Sequence, residues 1–299
     1  MKSAIQLYLM DGWFEDGYRG LTEPAQILDS LGVDVLTLPE HLAMANNIEQ
    51  FERRYGKSPV GPQSTFIEPM VQLAWLAGVT KSIRLGAGIL LAPLRPSLLL
   101  AKQISSLDCL SGGRAWMGLG AGWQKEEFDA CNIPWKGRYD LVVEQVKACR
   151  ALWGQAPASF HGEFISFDDL NMRPLPPQGK DLAVILGIKG TAANFQRMAD
   201  CGAGWIPMNV NLQELAEPIR AFRRAHEAAG RNPDDLEVAT YTNIVQDEHG
   251  DVDLDRTLAL APRYAEIGVT TLIYAPPAFC DGMKAFGAFA EKVQRAVKG

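Results

Sequence analysis

Short apolar runs rich in β-branched residues alternate along this chain with longer stretches whose apolar positions recur every three to four residues. That alternation predicts the strands of a parallel sheet joined by amphipathic helices. Strands are expected at Ile5–Met10, Val33–Leu38, Ile83–Leu91, Ala115–Leu119, Leu182–Leu186, Gly204–Pro207, Leu236–Val245 and Val269–Tyr274. Helices are expected at Pro24–Leu31, Leu73–Val79, Ser97–Leu110, Tyr139–Trp153, Thr191–Cys201, Leu212–Ala229, Leu254–Ile267 and Met283–Val297. Several of them stop at a glycine, the residue that most easily closes a helix C-terminus (Gly32, Gly230, Gly268). Eight such units without a break in composition predict one α/β domain over residues 1–299, a closed (β/α)8 TIM barrel. An open doubly wound sheet, usually of fewer strands, is the alternative.

Two segments exceed ordinary connection lengths. An extended loop after strand 2, Glu40–Gln63, is a candidate lid carrying Phe51, Arg53, Arg54 and Tyr55. An insertion before strand 5, Gln155–Lys180, contains the alternating run SFHGEFISF, which predicts a hairpin turning at His161-Gly162. Pro174, Pro176 and Pro177 then give a stiff extended lead into the next strand.

Composition narrows the function classes. A formal net charge of -6 over 299 residues argues against a nucleic-acid partner, which needs clustered Lys and Arg. No apolar run approaches the roughly 18–20 residues that span a bilayer, so no membrane role is expected. The opening MKSAIQLYLMDGW reads as a first strand rather than a signal peptide. Five dispersed cysteines without a CxxC pair read as reduced thiols in a cytoplasmic protein. No histidine pair has metal-ligand spacing, and neither GxSxG nor GxxxxGK[ST] occurs, so metal-dependent and serine hydrolysis lack support.

In a (β/α)8 barrel the chemistry sits in the loops after the strands. Strand 2 ends in Pro39-Glu40-His41, which places an imidazole and a carboxylate at the rim. His41 can exchange a proton near neutral pH or orient a cofactor carbonyl; a histidine that only caps the strand is the competing reading. Glu40 is the weaker candidate, a cofactor contact or else the solvated carboxylate that a rim position usually carries. Gly187-Ile188-Lys189-Gly190-Thr191 joins a strand to a helix start, where glycines allow close approach and unpaired amides meet an anion; a tight turn with a Thr cap explains it as well. The run Gly118, Gly120, Gly122 fits rim packing or a flat cofactor, and Trp123 beside it either covers a ring or plugs the barrel top. Ser111-Gly112-Gly113-Arg114 precedes strand 4 and belongs to the opposite, stability face. Of the other histidines, His161 reads as a hairpin-turn residue, His226 lies on an outer helix and His249 sits in a turn.

Read in order, IRLGAGILLAPLRPSLLLAKQISSLD, LSGGRAWMGLGAGWQKEEFDA, RYDLVVEQVKACRALW and PLPPQGKDLAVILGIKGTAANFQRMADCGAGWI resemble the bacterial luciferase-like monooxygenase superfamily, as does LGVDVLTLPEHL. The similarity covers roughly residues 1–230, and the PEHL and EEF variants look most like its coenzyme F420-dependent branch. The resemblance implies hydride transfer between coenzyme F420 and a small organic substrate, with FMN-dependent monooxygenation as the alternative and a non-catalytic flavin-binding protein as a third reading. It also implies a homodimer through outer helices. It implies a bulge with a non-prolyl cis peptide at Gly88-Ile89 backing the cofactor ring, a rim histidine at His41, and a phosphate-binding segment at Gly187, Ile188, Gly190 and Thr191. In related sugar-phosphate dehydrogenases a glutamate directly follows the glycine run, whereas this chain has Trp123 there, in the substrate pocket. Glu127 then reads as a loop anchor making a buried polar contact, and His41 is left without an assured carboxylate partner.

Overall fold

The computed structural model describes residues 1–46, 48–49, 52–53, 60–208 and 210–299. Phe51, Arg54 and Tyr55 of the expected lid lie outside the described residues. The chain folds as a (β/α)8 barrel. Its parallel strands are β1 (Lys2–Gln6), β2 (Val35–Leu38), β3 (Arg84–Leu91), β4 (Ala115–Gly120), β7 (Ala183–Gly187), β8 (Gly204–Trp205), β9 (Ala239–Tyr241) and β10 (Thr271–Tyr274). They run in the order β8-β7-β4-β3-β2-β1-β10-β9. A parallel bridge between Trp205 and Val238 then joins the two ends into a barrel. The intervening β5 (Ala158–His161) and β6 (Ser166–Leu170) form the separate antiparallel hairpin of the insertion.

Around the sheet stand α1 (Thr22–Ser30), α2 (Pro69–Val79), α3 (Ser97–Ser111), α4 (Lys125–Ala130), α5 (Arg138–Gly154), α6 (Ala192–Cys201), α7 (Leu212–Ala228), α8 (Leu254–Leu258), α9 (Ala261–Glu266) and α10 (Met283–Lys298). Local chemistry sets their ends. Glu68 caps α2 by accepting from the Val71 amide at 2.7 Å, with Pro69 in the first turn. Gly112 closes α3 at φ 70°, a conformation that costs other residues a steric penalty.

The strands are buried on both faces. Alternate residues Ala4, Val35, Trp116, Ile185, Ala239 and Ile273 fill the barrel interior, and the outward set packs under the helices. Departures from the expected elements have local causes. The first strand ends four residues early, because the chain leaves the ladder after Leu7 and Leu9 takes φ 53°. The expected helix at Leu254–Ile267 divides into α8 and α9, with Pro262 in the first turn of the second. A six-residue helix, α4, appears where none was expected, and it carries Glu127.

The insertion forms the expected hairpin, whose turn is tied to the barrel by Glu144. The Glu144 carboxylate on α5 accepts from the amides of Glu163, Phe164 and Ile165 at 2.7–2.9 Å. His161 sits at the end of β5, its ring bonded to Ser166 and Asp168. His226 is on the outer helix α7 as expected, yet only 5 % exposed.

Candidate active site

β2 carries the chain to the barrel mouth and ends in Glu40 and His41. Glu40 is buried, not a solvated rim carboxylate. Its Oε2 accepts from the Leu91 amide at 2.6 Å and from Arg95 Nη1 at 2.9 Å, while its Oε1 meets Arg95 Nη2. Burial pushes the Glu40 carboxyl up and Arg95 pulls it back. The same burial works against the Arg95 charge, which Glu40 and Glu68 hold above its ordinary value. Both Glu40 oxygens are thus taken by the turn after β3, which stitches the tops of β2 and β3 together. Gln145 on α5 braces that turn from behind, donating to the carbonyls of Ala92 and Arg95 at 3.2 and 3.0 Å.

His41 points the other way around the rim, toward β4. Its Nδ1 lies 3.0 Å from Glu127 Oε2. The imidazole is held edge-on between Phe66 and Trp123, with ring centroids 5.3 and 5.2 Å away. Glu127 Oε1 accepts from the amides of Leu42 and Ala43 at 2.7 and 3.3 Å. Gln124 completes the clamp, accepting from the Ala45 amide at 2.8 Å and donating to the Ala43 carbonyl at 2.6 Å. The loop after β4 is itself braced by Arg138, whose guanidinium stacks on Trp135 and bonds the Gly122 carbonyl at 3.3 Å. The buried contact expected of Glu127 is present, and it engages His41 as well as the loop.

On β3 the register with β4 shifts between Ala87 and Leu90, and the Gly88-Ile89 peptide is cis. The Gly88 carbonyl accepts from Gln6 Nε2 and, at 2.8 Å, from the Tyr241 hydroxyl. Burial pushes the Tyr241 phenol up, so it stays a donor. The half-buried Ile89 side chain then packs where β4 and β7 carry glycines. A Cβ at Gly120 would fall 2.0 Å from Ile89 Cδ1, and one at Gly187 would fall 3.0 Å from it. Packing against the bulge therefore accounts for Gly120 and Gly187. It also accounts for Gly118, where a Cβ would meet the Ala87 carbonyl at 2.5 Å.

The segment after β7 is built as a turn into α6. Ile188 is buried and its carbonyl accepts from Trp205 Nε1 at 2.9 Å. Gly190 passes so close to the Trp205 ring that a Cβ would lie 2.5 Å from it. Thr191 caps α6, its hydroxyl accepting from the Asn194 amide at 3.3 Å. Lys189, Gly190, Thr191, Ala192 and Ala193 are all exposed, and the first-turn amides of a helix have no acceptor within it. The structure thus brings His41 to Trp123, and Gly88-Ile89 to Gly187, while Glu40 serves the wall behind them.

Sequence reasoning missed the pairing of His41 with Glu127, and the parts played by Gln6, Tyr241, Arg95 and Gln124. Each is a single polar side chain reaching a distant segment, for which no periodicity gives a signal. The hint for Glu127 was its spacing: on a short helix after β4 it follows Gln124 by three residues, on one face.

Comparison with known proteins agrees with this architecture. A family model described as luciferase-like monooxygenase matches residues 5–277. An uncharacterized protein of Mycobacterium tuberculosis is 30% identical over 266 residues, covering 87% of this chain and 88% of its own. Among solved structures, a coenzyme F420-dependent tetrahydromethanopterin reductase from Methanopyrus kandleri superposes with TM-score 0.76 at 17% identity, over 99% of this chain and 98% of that one. The oxygenating constituent of 3,6-diketocamphane monooxygenase from Pseudomonas putida, in complex with FMN, does so with TM-score 0.75 at 16% identity and the same coverage. At those identities the structures speak for the fold alone. The matched span of more than nine-tenths of the sequence places this chain in the luciferase-like monooxygenase family.

Proposed function

We propose that the barrel, acting as one domain over residues 1–299, is an oxidoreductase that binds coenzyme F420 at its mouth and serves hydride transfer to or from a small organic substrate. The observation that carries this reading is the β3 bulge. Its carbonyl is fixed by Gln6 and Tyr241, and its Ile89 side chain stands as a ledge among the glycines of β4 and β7. A ledge so walled suits the face of a flat tricyclic ring. The exposed amides and small side chains at residues 190–193 suit the phosphate of the same molecule, with Lys189 adding positive charge. When bound, the cofactor supplies the carbon that takes or gives the hydride. His41 moves the accompanying proton, and Phe66 and Trp123 keep water from its ring and line the substrate side. Glu40 contributes by holding the β2 and β3 tops in register rather than by touching the cofactor.

FMN-dependent monooxygenation is the second reading, supported by the 34% identity over 158 residues to an FMNH(2)-dependent dimethylsulfone monooxygenase of Pseudomonas putida. Titrating the purified protein with coenzyme F420 and with FMN, followed by absorbance, separates the two. Binding of F420 well below millimolar is expected, on the usual affinity scale. Tighter binding of FMN overturns the choice of cofactor, and binding of neither overturns the reading as a whole.

The outer face of α2 supports a homodimer. From Pro69 to Val79 the helix carries no charge, and its one polar side chain, Gln72, is buried. Val71 and Trp75 are nonetheless exposed, as are Leu98, Leu99 and Leu110 of the neighbouring α3. A helix apolar on every side needs a cover. Trp75→Glu is expected to yield a monomer in light scattering. The dispersed cysteines are free thiols, in keeping with a cytoplasmic setting, and no helix among the described residues is long and apolar enough to cross a membrane.

A further inference from the structure

We propose that Glu127 is the positioning residue that sets the tautomer of His41, so that Nε2 is presented to the substrate as a proton acceptor. The inference rests on reading His41 as the proton-handling group, but its test does not require turnover.

The Glu127 side chain is 1% exposed and that of His41 9%. Two main-chain amides, those of Leu42 and Ala43, point at Oε1 and demand an acceptor there. An ionised carboxylate accepts at both oxygens and donates at neither. The contact of Oε2 with His41 Nδ1 at 3.0 Å therefore places the imidazole proton on Nδ1. A neutral imidazole has one N–H, which leaves Nε2 with its lone pair, and Nε2 has no partner among the described residues. A ring flip that exchanged the nitrogens would leave the buried Oε2 facing a carbon. Such an unpaired buried group is costly, and the flanking Phe66 and Trp123 rings oppose the rotation.

The chemical consequence is directional. In the neutral resting form, a proton passes from a substrate O–H or N–H to Nε2, and the imidazolium so formed carries its charge beside Glu127. The reverse step returns the proton from Nε2 along the same line. Glu127 touches neither substrate nor cofactor. It acts by fixing which nitrogen is open and by stabilising the charged ring, as an orienting carboxylate does in other histidine-based sites. Because Oε1 of the same carboxylate holds the main chain at Leu42 and Ala43, the tautomer and the conformation of the segment after β2 are set together.

The test is nitrogen NMR of the ligand-free, histidine-labelled protein in alkaline buffer, where imidazoles are neutral. The chain has four histidines, and the His41 signals are assigned by their loss in His41→Asn. The expected result is a protonated Nδ1 and an unprotonated Nε2. In Glu127→Gln the side-chain oxygen can still serve the Leu42 and Ala43 amides, while its NH2 faces Nδ1. The two nitrogen shifts of His41 are then expected to exchange, with Nε2 now carrying the proton. A wild-type protein with the proton on Nε2, or a folded Glu127→Gln protein with unchanged shifts, overturns the proposal. If Glu127→Gln does not fold, the wild-type spectrum alone decides. Cofactor binding is measured separately, so a failure of the F420 reading leaves this result standing or falling on its own.

Discussion

The two ends of the barrel use buried polar groups to opposite purposes. At the end where the strands begin, Arg114, Glu237 and Arg150 bond back into the protein. Arg114 bonds the carbonyls of Ser111, Ile83, Ala77 and Thr80 and the Thr80 hydroxyl. Glu237 Oε1 takes Lys2, the Trp116 indole and Thr271 at 2.9–3.2 Å. Arg150 closes the C-terminal side of α6, bonding the Cys201 and Gly202 carbonyls at 2.8 and 2.7 Å. At the other end the polar groups are just as carefully held, yet two of them leave something over. His41 is fixed through Nδ1 and keeps Nε2; α6 is capped by Thr191 and keeps its first-turn amides. A satisfied network stabilises, whereas a half-committed one, rigid but with atoms to spare, can bind and react. That division matches the general division of labour in such barrels.

The sharpest way to break the comparison is to remove one group from each end. His41→Ala is expected to lower turnover by about two to four orders of magnitude, the usual worth of a positioned acid–base group, with cofactor affinity close to wild type and a stability loss of about 1–3 kcal/mol from the buried Glu127 oxygen left unpaired. Unchanged turnover, measured with saturating cofactor, removes His41 from the chemistry. Arg114→Ala is expected to do the reverse. It strands several carbonyls between α2 and α3 and should cost roughly 3 kcal/mol in urea unfolding while leaving the turnover of the folded fraction intact. If Arg114→Ala altered kcat as much as stability, the two ends would not be separable in this way.

The same contrast explains what could be read from the sequence. The assignment of Ser111-Gly112-Gly113-Arg114 to the stability face follows from chain order alone, and the structure agrees residue by residue. The barrel itself was legible because each strand buries both faces, so that Val35–Leu38 and its fellows stand out as apolar runs. The boundary failed where a buried apolar residue lies beyond the ladder: Met10 looks like a strand residue because it is core, though it follows the point after Leu7 where the chain leaves the ladder. The glycine run at the end of β4 was ambiguous for a physical reason, since a glycine needed for an Ile89 side chain and one needed for a ligand look alike in sequence. Glu127 could not be paired with His41 at all. The two are 86 positions apart, and only the folded register of β2 against the β4 loop brings them together.

A pH series sharpens the comparison further, at the stability end. His226, near the C-terminus of α7, has its ring edge-on to Phe222 and a buried Nδ1 with no partner among the described residues. Burial, with Arg231 nearby, lowers its pKa to about 4 from 6.5. Above the unfolded value both states hold a neutral ring and stability is at its full level. As the pH falls below that value the unfolded chain takes up a proton that the folded protein refuses, so stability drops until the folded pKa is passed. At about pH 5 the loss relative to neutral pH is roughly 2 kcal/mol. Urea unfolding across this range should show that slope in the wild type and a flatter one in His226→Gln. Equal slopes would mean that the ring is not shielded in the fold.

The smallest effect tests whether the open amides at α6 are a site in their own right or a by-product of the cap. Thr191→Ala removes the one side-chain acceptor of the α6 N-terminus and should cost about 1 kcal/mol of stability, the usual value of such a cap. If the exposed first-turn amides bind the cofactor phosphate, affinity should fall only a few-fold, because the main-chain donors remain and the helix dipole is unchanged. Lys189→Ala should act differently: no loss of stability for an exposed side chain, and a weakening of cofactor binding that fades as salt is raised. Titrations of both variants at low and high ionic strength distinguish the two contributions. A Thr191→Ala protein that loses stability but binds as well as wild type, together with a Lys189→Ala protein indifferent to salt, would assign this turn to structure alone. The capacity of the mouth to bind and react would then lie in His41 and the β3 ledge, with the amides of α6 left over and unused.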